Sequence, residues 1–205
     1  MHLNVTRYQR FSMVVLAFLV GAGAGVSAWL FHHLISLLHN LCFAHQLSFE
    51  YEATVFTAPS AWGWGHIGIM VSVAVVVAYI IKHYAPEAKG HGVPEVMHAI
   101  YFKQAFMRPI SIIAKAITAA MTIGSGGSVG REGPVVQICA GLGSLVRFTG
   151  EDASLIRSIL VSAGASAGIA ATFNAPLGGL LFAVELMLPI VNVWSLFVVI
   201  IATVV

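Results

Sequence analysis

The apolar run over residues 11–30 constrains the fold of this chain more than any other feature. It holds no charged residue, and a helix of that length crosses the roughly 30 Å hydrocarbon core of a bilayer. Backbone polar groups in hydrocarbon must pair within their own segment, which favours a helix. The whole chain is 59% hydrophobic and 9% charged, whereas a soluble domain carries about 25% charged residues. The sequence therefore predicts an all-α integral membrane protein.

Glycine and proline divide this apolar sequence into helices. We expect a first helix over residues 11–41, long enough to be tilted, with glycines at 21–25 for close helix contact. A second helix is expected over 65–84, ended by Pro86. Later helices are predicted over 109–123, 133–148, 151–169 and 177–187, with a last run to 205. Short helices interrupted by glycine or proline point to an ion site near the membrane midplane.

The few basic residues indicate an orientation. The N-terminal segment carries Arg7 and Arg10, residues 82–108 carry further lysine and arginine, and residues 48–64 carry none. Short basic loops face the cytoplasm. The N-terminus and residues 82–108 are therefore predicted inside, and the 48–64 loop outside.

Several functional classes do not match the sequence. A net charge of +2 is too small to predict nucleic-acid binding. No nucleophile elbow surrounds Ser125 or Ser128, and the 124–132 segment lacks the phosphate-loop ending, so no enzyme is expected. Adjacent His32 and His33 do not share a helix face, and neither a metal site nor a cofactor is predicted.

Three breaks in the apolar sequence carry the functional signal. They are residues 90–95, 124–134 and 174–179. The second contains Gly130-Arg131-Glu132-Gly133-Pro134, which places a carboxylate, interpreted as buried, at the start of a helix. Helix N-termini attract anions, and a charge within a membrane segment is a functional hypothesis.

The first two breaks share a pattern. Each presents glycine-rich backbone before a helix with proline in its first turn, where proline is favourable. Two such N-termini aimed at one point would bind an anion without a fixed cation. The alternative is three ordinary helix breaks, which composition alone allows equally well.

Together these motifs resemble the CLC family of chloride channels and proton–chloride antiporters. Residues 84–95 are similar to its first anion-site motif, usually G-S-G-I-P, and residues 130–134 are identical to its second. Residues 173–185 resemble the segment downstream, and Lys115 falls where many members carry lysine. The resemblance implies that residues 1–205 form the N-terminal half of a CLC-type transmembrane domain, the first of two inverted repeats, with broken and tilted helices.

The resemblance also implies residue roles. Glu132 would be the gate, whose carboxylate competes with the permeant anion and carries the proton in an antiporter. The implied anion-binding residues are Gly90, His91, Gly92, Val93, Pro94, Gly130, Arg131, Gly133 and Pro134. The implied setting is a bacterial inner membrane with its lipid, a homodimer for the full-length protein, and chloride or a similar anion as substrate, with protons in an exchanger.

Three departures from the family pattern qualify these roles. His91 stands where the family usually has a small hydroxyl residue, and a protonated imidazole would hold anions more tightly. Leu186 stands at the inner proton-accepting glutamate, which leaves Glu185 as a substitute and both channel and antiporter open. The sequence ends at Val205, so the alternative is a truncated, non-conducting half that acts as a structural or assembly fragment.

Overall fold

The fold is helical throughout the part of the chain that the computed structural model describes, residues 7–44, 62–148 and 152–205. The α-helices are α1 (Arg7–Ala44), α2 (His66–Tyr84), α3 (Val93–Phe102), α4 (Pro109–Gly124), α5 (Glu132–Ser144), α6 (Ala153–Phe173), α7 (Pro176–Phe182) and α8 (Val193–Val204). Short 3₁₀ turns, Gly63–Gly65 and Pro86–Lys89, precede α2 and α3, and a π-helical turn, Ala183–Met187, follows α7. The predicted all-α architecture is confirmed.

The helices lie where the sequence predicts them, with differences at their ends. Helix α5 ends at Ser144 rather than 148, and α6 continues to Phe173, where Asn174 adopts the left-handed conformation that ends it. The helix predicted over 177–187 is α-helical only to Phe182 and then widens into the π-helical turn. Residues 48–61 of the predicted outer loop, and residue 151, lie outside the described ranges.

Three helical segments are long and apolar enough to cross a membrane. They are Tyr8–Phe43, Gly63–Tyr84 and Ala153–Phe173. Helices α4 and α8 are apolar but shorter. The chain is a membrane protein that combines full spans with shorter helices.

Helix α6 forms the centre of the fold and packs against α1, α5, α7 and α8. Small residues allow this packing because their backbones can approach closely. A side chain at Gly143 would overlap the Leu160 carbonyl, and one at Gly164 would overlap the Cys139 carbonyl. Helices α5 and α6 therefore form one rigid unit, and α5 carries the second sequence motif at its start.

The predicted glycine face of α1 is confirmed in part. A side chain at Gly21 would overlap the backbone of Ala202 on α8, and Gly23 lies against Leu142 on α5. Gly25 has open space around it. The first two glycines thus fix α1 against the central helices, and the third does not contribute.

Candidate functional site

The two glycine-rich motifs lie in direct backbone contact. We call residues 90–94 the first turn and residues 130–134 the second turn. A side chain at Gly92 would overlap the carbonyl of Gly133, and one at Gly133 would overlap the carbonyl of His91. Gly92 also has a φ of 94°, which L side chains rarely adopt. Only glycine allows the two turns to meet in this way.

A helix begins at each of these turns. Helix α3 starts at Val93 and carries Pro94 in its first turn, and α5 starts at Glu132 and carries Pro134. The first N–H groups of a helix have no partner within the helix, and the helix dipole makes this end positive. Two such ends side by side create a positive potential that needs no cationic side chain.

A cavity of about 400 Å³ opens between the two turns, α2 and α4. We call it the first cavity. Several of the residues predicted to form the site line it, namely Gly90, His91, Gly130, Glu132, Gly133 and Pro134. Thr118, Thr122 and Lys115 of α4 complete its polar wall. The structure thus brings the predicted gate and parts of both predicted anion-binding turns to one space.

Other predicted site residues lie elsewhere. Gly92 is buried where the turns touch, and Val93 does not border the first cavity. Pro94 borders a second cavity beside α3, and Arg131 borders a third between α1 and α5. These residues lie close to the contact between the two turns through their backbone, but they do not line the first cavity.

The carboxylate of Glu132 is exposed, although the helix behind it is buried from Pro134 to Gly141. The interpretation of this carboxylate as buried is wrong, because the first residue of α5 borders the open cavity rather than the core. The Glu132 side chain folds back over Gly130, and a side chain at position 130 would overlap the Glu132 carboxylate. Gly130 therefore leaves room for the Glu132 carboxylate at the positive end of α5.

Lys115 fixes the backbone of the first turn by hydrogen bonds. Its side chain is only 8% exposed on α4, and Nζ donates to the carbonyls of Ala88 and Gly90, at 3.2 and 2.5 Å. Hydrogen bonds from charged donors are about twice as strong as neutral ones. The sequence indicated Lys115 only by its place in the family pattern, and the structure gives it a positioning role.

Glu95 contacts the first turn, although the sequence pattern did not predict a place for it at the candidate site. Its Oε2 accepts a hydrogen bond from the Gly92 N–H at 2.7 Å, and its carboxylate occupies the space beside Gly90. The available signal was a glutamate three residues after the residue that precedes α3, which is the capping-box position. A carboxylate thus already sits at the N-terminus of α3.

Glu185 and Leu186 both lie on the π-helical turn, and both are exposed. Neither borders the first cavity. The turn is held to α6 because the hydroxyl of Ser162 contacts the carbonyl of Met187 at 3.0 Å. The structure does not bring Glu185 to the cavity that holds Glu132.

Comparison with known sequences identifies relatives. Residues 73–205 match the sequence model of the voltage gated chloride channel family. The chain is 32% identical over 188 residues to the H(+)/Cl(−) exchange transporters ClcA of Salmonella arizonae and Salmonella paratyphi B. These alignments cover 87% of the chain and 37% of each relative. The chain thus spans little more than a third of the length of these relatives.

Solved structures show the same fold. A eukaryotic CLC transporter matches 94% of this chain with a TM-score of 0.74 and 21% identity, over 36% of its own length. A slow cyanobacterial Cl⁻/H⁺ antiporter matches 94% of the chain with a TM-score of 0.69 and 22% identity, over 45% of its own length. Taken with the family match over residues 73–205, these findings place the chain in the voltage-gated chloride channel family, known as CLC.

Proposed function

We propose that this chain supplies one wall of a transmembrane anion pathway, with Glu132 as its gate and chloride as its substrate. The observation that carries the proposal is the meeting of two helix N-termini at a cavity that also holds a carboxylate. The relatives named above are chloride–proton exchangers, which supports chloride as the anion and the proton as the coupled ion.

In the proposed mechanism Glu132 competes with the anion for the N-terminus of α5. The ionised carboxylate folds over Gly130 and takes the favourable position at the helix dipole. Protonation removes its charge, so the side chain can leave and an anion can replace it. The glycines at 130 and 133 keep this space free of other side chains.

The coupling of anion flow to protons depends on a second proton-accepting group. Leu186 cannot accept a proton, and exposed Glu185 is its neighbour on the π-helical turn. We propose Glu185 as a candidate for that group if the protein is an exchanger, and uncoupled flow if it is a channel. Proton movement against its gradient in chloride-loaded liposomes, measured with a pH-sensitive dye, distinguishes the two.

The proposed setting is a bacterial inner membrane with the N-terminus in the cytoplasm. The basic residues between α2 and α4 support this orientation because positive loops stay inside. A homodimer in lipid is proposed for the full-length protein.

Replacing Glu132 tests the proposed gate. Glu132→Gln removes the competing charge and keeps the shape, so chloride should bind about tenfold more tightly to the chain in detergent, as in other coupled sites. Isothermal titration calorimetry with chloride measures this. Asp152→Asn is the matched control, because Asp152 precedes α6 as Glu132 begins α5. Equal affinities for the Glu132 variant and the original chain would contradict the gate, and an absence of chloride binding to the original chain would overturn the proposed function.

A further inference from the structure

A second cavity lies on the other side of the first turn. Its volume is about 470 Å³, and its walls come from the Pro86–Lys89 turn, α3, α5 and the segment that leads into α4. Lys89 and Gly90 border both this cavity and the first one. The first turn is therefore a thin wall between the two spaces.

The charged residues that line this cavity indicate that it contains water. Lys103 and Glu87 in its wall have side chains that are 46% and 41% exposed, and charged groups are strongly favoured in contact with water. The cavity has room for several water molecules of about 30 Å³ each.

Glu95 lies between this hydrated space and the first turn. It lines the second cavity and is half-buried. Its Oε2 accepts from the Gly92 N–H at 2.7 Å, and a side chain at Gly90 would overlap its carboxylate. A charge on Glu95 therefore acts directly on the helix N-terminus that would bind an anion.

The groups around Glu95 are of both signs. Lys115 of α4 interacts electrostatically with Glu95, and Glu185 belongs to the π-helical turn that packs against α3 but does not border this cavity. The other charged or titratable groups that line the second cavity are Glu87, Lys89, His98, Lys103 and Arg108. Glu87 is paired with Lys103 at 3.4 Å and accepts from Ser111 at 3.3 Å. Among the described carboxylates that line the cavity, Glu95 is the one in contact with the first turn.

We infer that Glu95 is a proton-accepting residue that links proton uptake from the second cavity to anion affinity at the first turn. The inference rests on the proposed function. A hydronium ion in the cavity transfers its proton to the carboxylate, which leaves a neutral carboxylic acid and a water molecule. The negative charge at the start of α3 is lost, and an anion binds there more tightly. Because coupling is reciprocal, anion binding in turn favours protonation of Glu95.

Glu95 gives the chain a proton-accepting group other than the one that Leu186 replaces. Leu186 has no titratable group, and Glu185 borders neither the first nor the second cavity. Glu95 borders the second cavity and touches the first turn, which is in contact with the second turn that carries Glu132. The linkage therefore runs through adjoining groups.

Two measurements on the full chain in detergent test the inference. Calorimetric titrations with chloride in two buffers of different ionisation enthalpy give the protons taken up for each anion bound. Infrared difference spectra on chloride addition at acidic pH report the carbonyl band of a newly protonated carboxyl group, to which His91 contributes nothing. The variants are Glu95→Gln, Glu132→Gln and the control Glu87→Gln, since Glu87 lines the same cavity and pairs with Lys103 instead of the first turn. Glu95→Gln keeps a side-chain oxygen that can accept from the Gly92 N–H.

For the original chain and Glu87→Gln, we expect proton uptake, the carboxyl band, and chloride affinity that rises about tenfold on acidification, a typical coupling. Glu95→Gln should keep the melting temperature of the original chain and bind chloride at neutral pH at least as tightly. It should lose the part of the carboxyl band that Glu132→Gln retains. An unchanged band and proton count in Glu95→Gln would overturn the inference, as would their loss in Glu87→Gln alone. If the original chain bound no chloride, the proposed function itself would fail.

Discussion

At the scale of single residues, Gly92 and Gly133 determine whether the two turns can meet. Each lies against a carbonyl of the opposite turn, and Gly92 has a positive φ. These glycines act through the absence of a side chain, so their contribution cannot be replaced by another small residue. The geometry of the site depends on them more directly than on any charged group.

Alanine at these positions should be strongly destabilising. We expect Gly92→Ala and Gly133→Ala each to lower the free energy of unfolding by about 2–3 kcal/mol, because the backbones must separate. Gly25→Ala is the control, since its side chain would meet open space, and it should be neutral or stabilising by up to about 1 kcal/mol. Thermal unfolding in detergent measures all three, and equal effects would show that the turns do not need their contact.

His91 is the unusual residue of the first turn. It is exposed and lines the first cavity, and histidine is the side chain that changes charge between pH 5 and 8. Its protonation adds a positive charge beside the proposed anion position. The chain should therefore bind chloride more tightly below neutral pH than above it.

The variant His91→Ser should flatten this pH dependence near neutrality and leave the affinity above pH 8 within about threefold. Calorimetric titration of both proteins from pH 5 to 8.5 measures the effect. His98→Ser is the control, because His98 is exposed on α3 and lines only the second cavity. Identical pH profiles for the original chain and His91→Ser would rule out a role for His91.

At the scale of elements, the site is built from helix ends and the contacts that fix them. Lys115 ties α4 to the first turn, and the close packing of α5 on α6 fixes the second turn. The π-helical turn is fixed in the same way, through Ser162 of α6. Each of these three segments is thus anchored to a neighbouring helix.

Removing the Ser162 hydroxyl should loosen the π-helical turn. Ser162 contacts Ser158 within α6 and Met187 across to the turn, so Ser162→Ala should cost about 1 kcal/mol of stability. It should also speed amide hydrogen exchange in residues 183–188, measured by mass spectrometry. Ser158→Ala removes only a bond within α6 and should leave that exchange unchanged; faster exchange in both variants would argue against a specific anchor.

At the scale of the whole molecule, the distribution of charge supports the proposed orientation in the membrane. The segment that precedes α2, residues 48–64, contains no lysine or arginine. The region that follows, between α2 and α4, is basic. Nineteen residues of helix extend about 28 Å, so the two ends of α2 should reach opposite surfaces. Trp64 and Lys82, both exposed, mark these ends.

Cysteine labelling checks this orientation. In a Cys42→Ser background, a membrane-impermeant maleimide added outside intact cells should label Trp64→Cys and not Lys82→Cys, because basic segments stay inside. Buried Cys139 should remain unlabelled, and permeabilised cells should label both variants. Labelling of Lys82→Cys alone from outside would reverse the orientation, and labelling of both would mean that α2 does not span.

The sequence by itself determined the membrane class, the order of the helices and the positions of both turns. Hydrocarbon leaves an apolar chain few options besides helices, and glycine and proline mark where those helices end. Only the tertiary structure decided that Gly92 meets Gly133, that Lys115 and Glu95 fix the first turn, and that Glu132 is exposed. These contacts join residues from different helices, and their geometry depends on how closely the helix backbones pack, which no local pattern specifies.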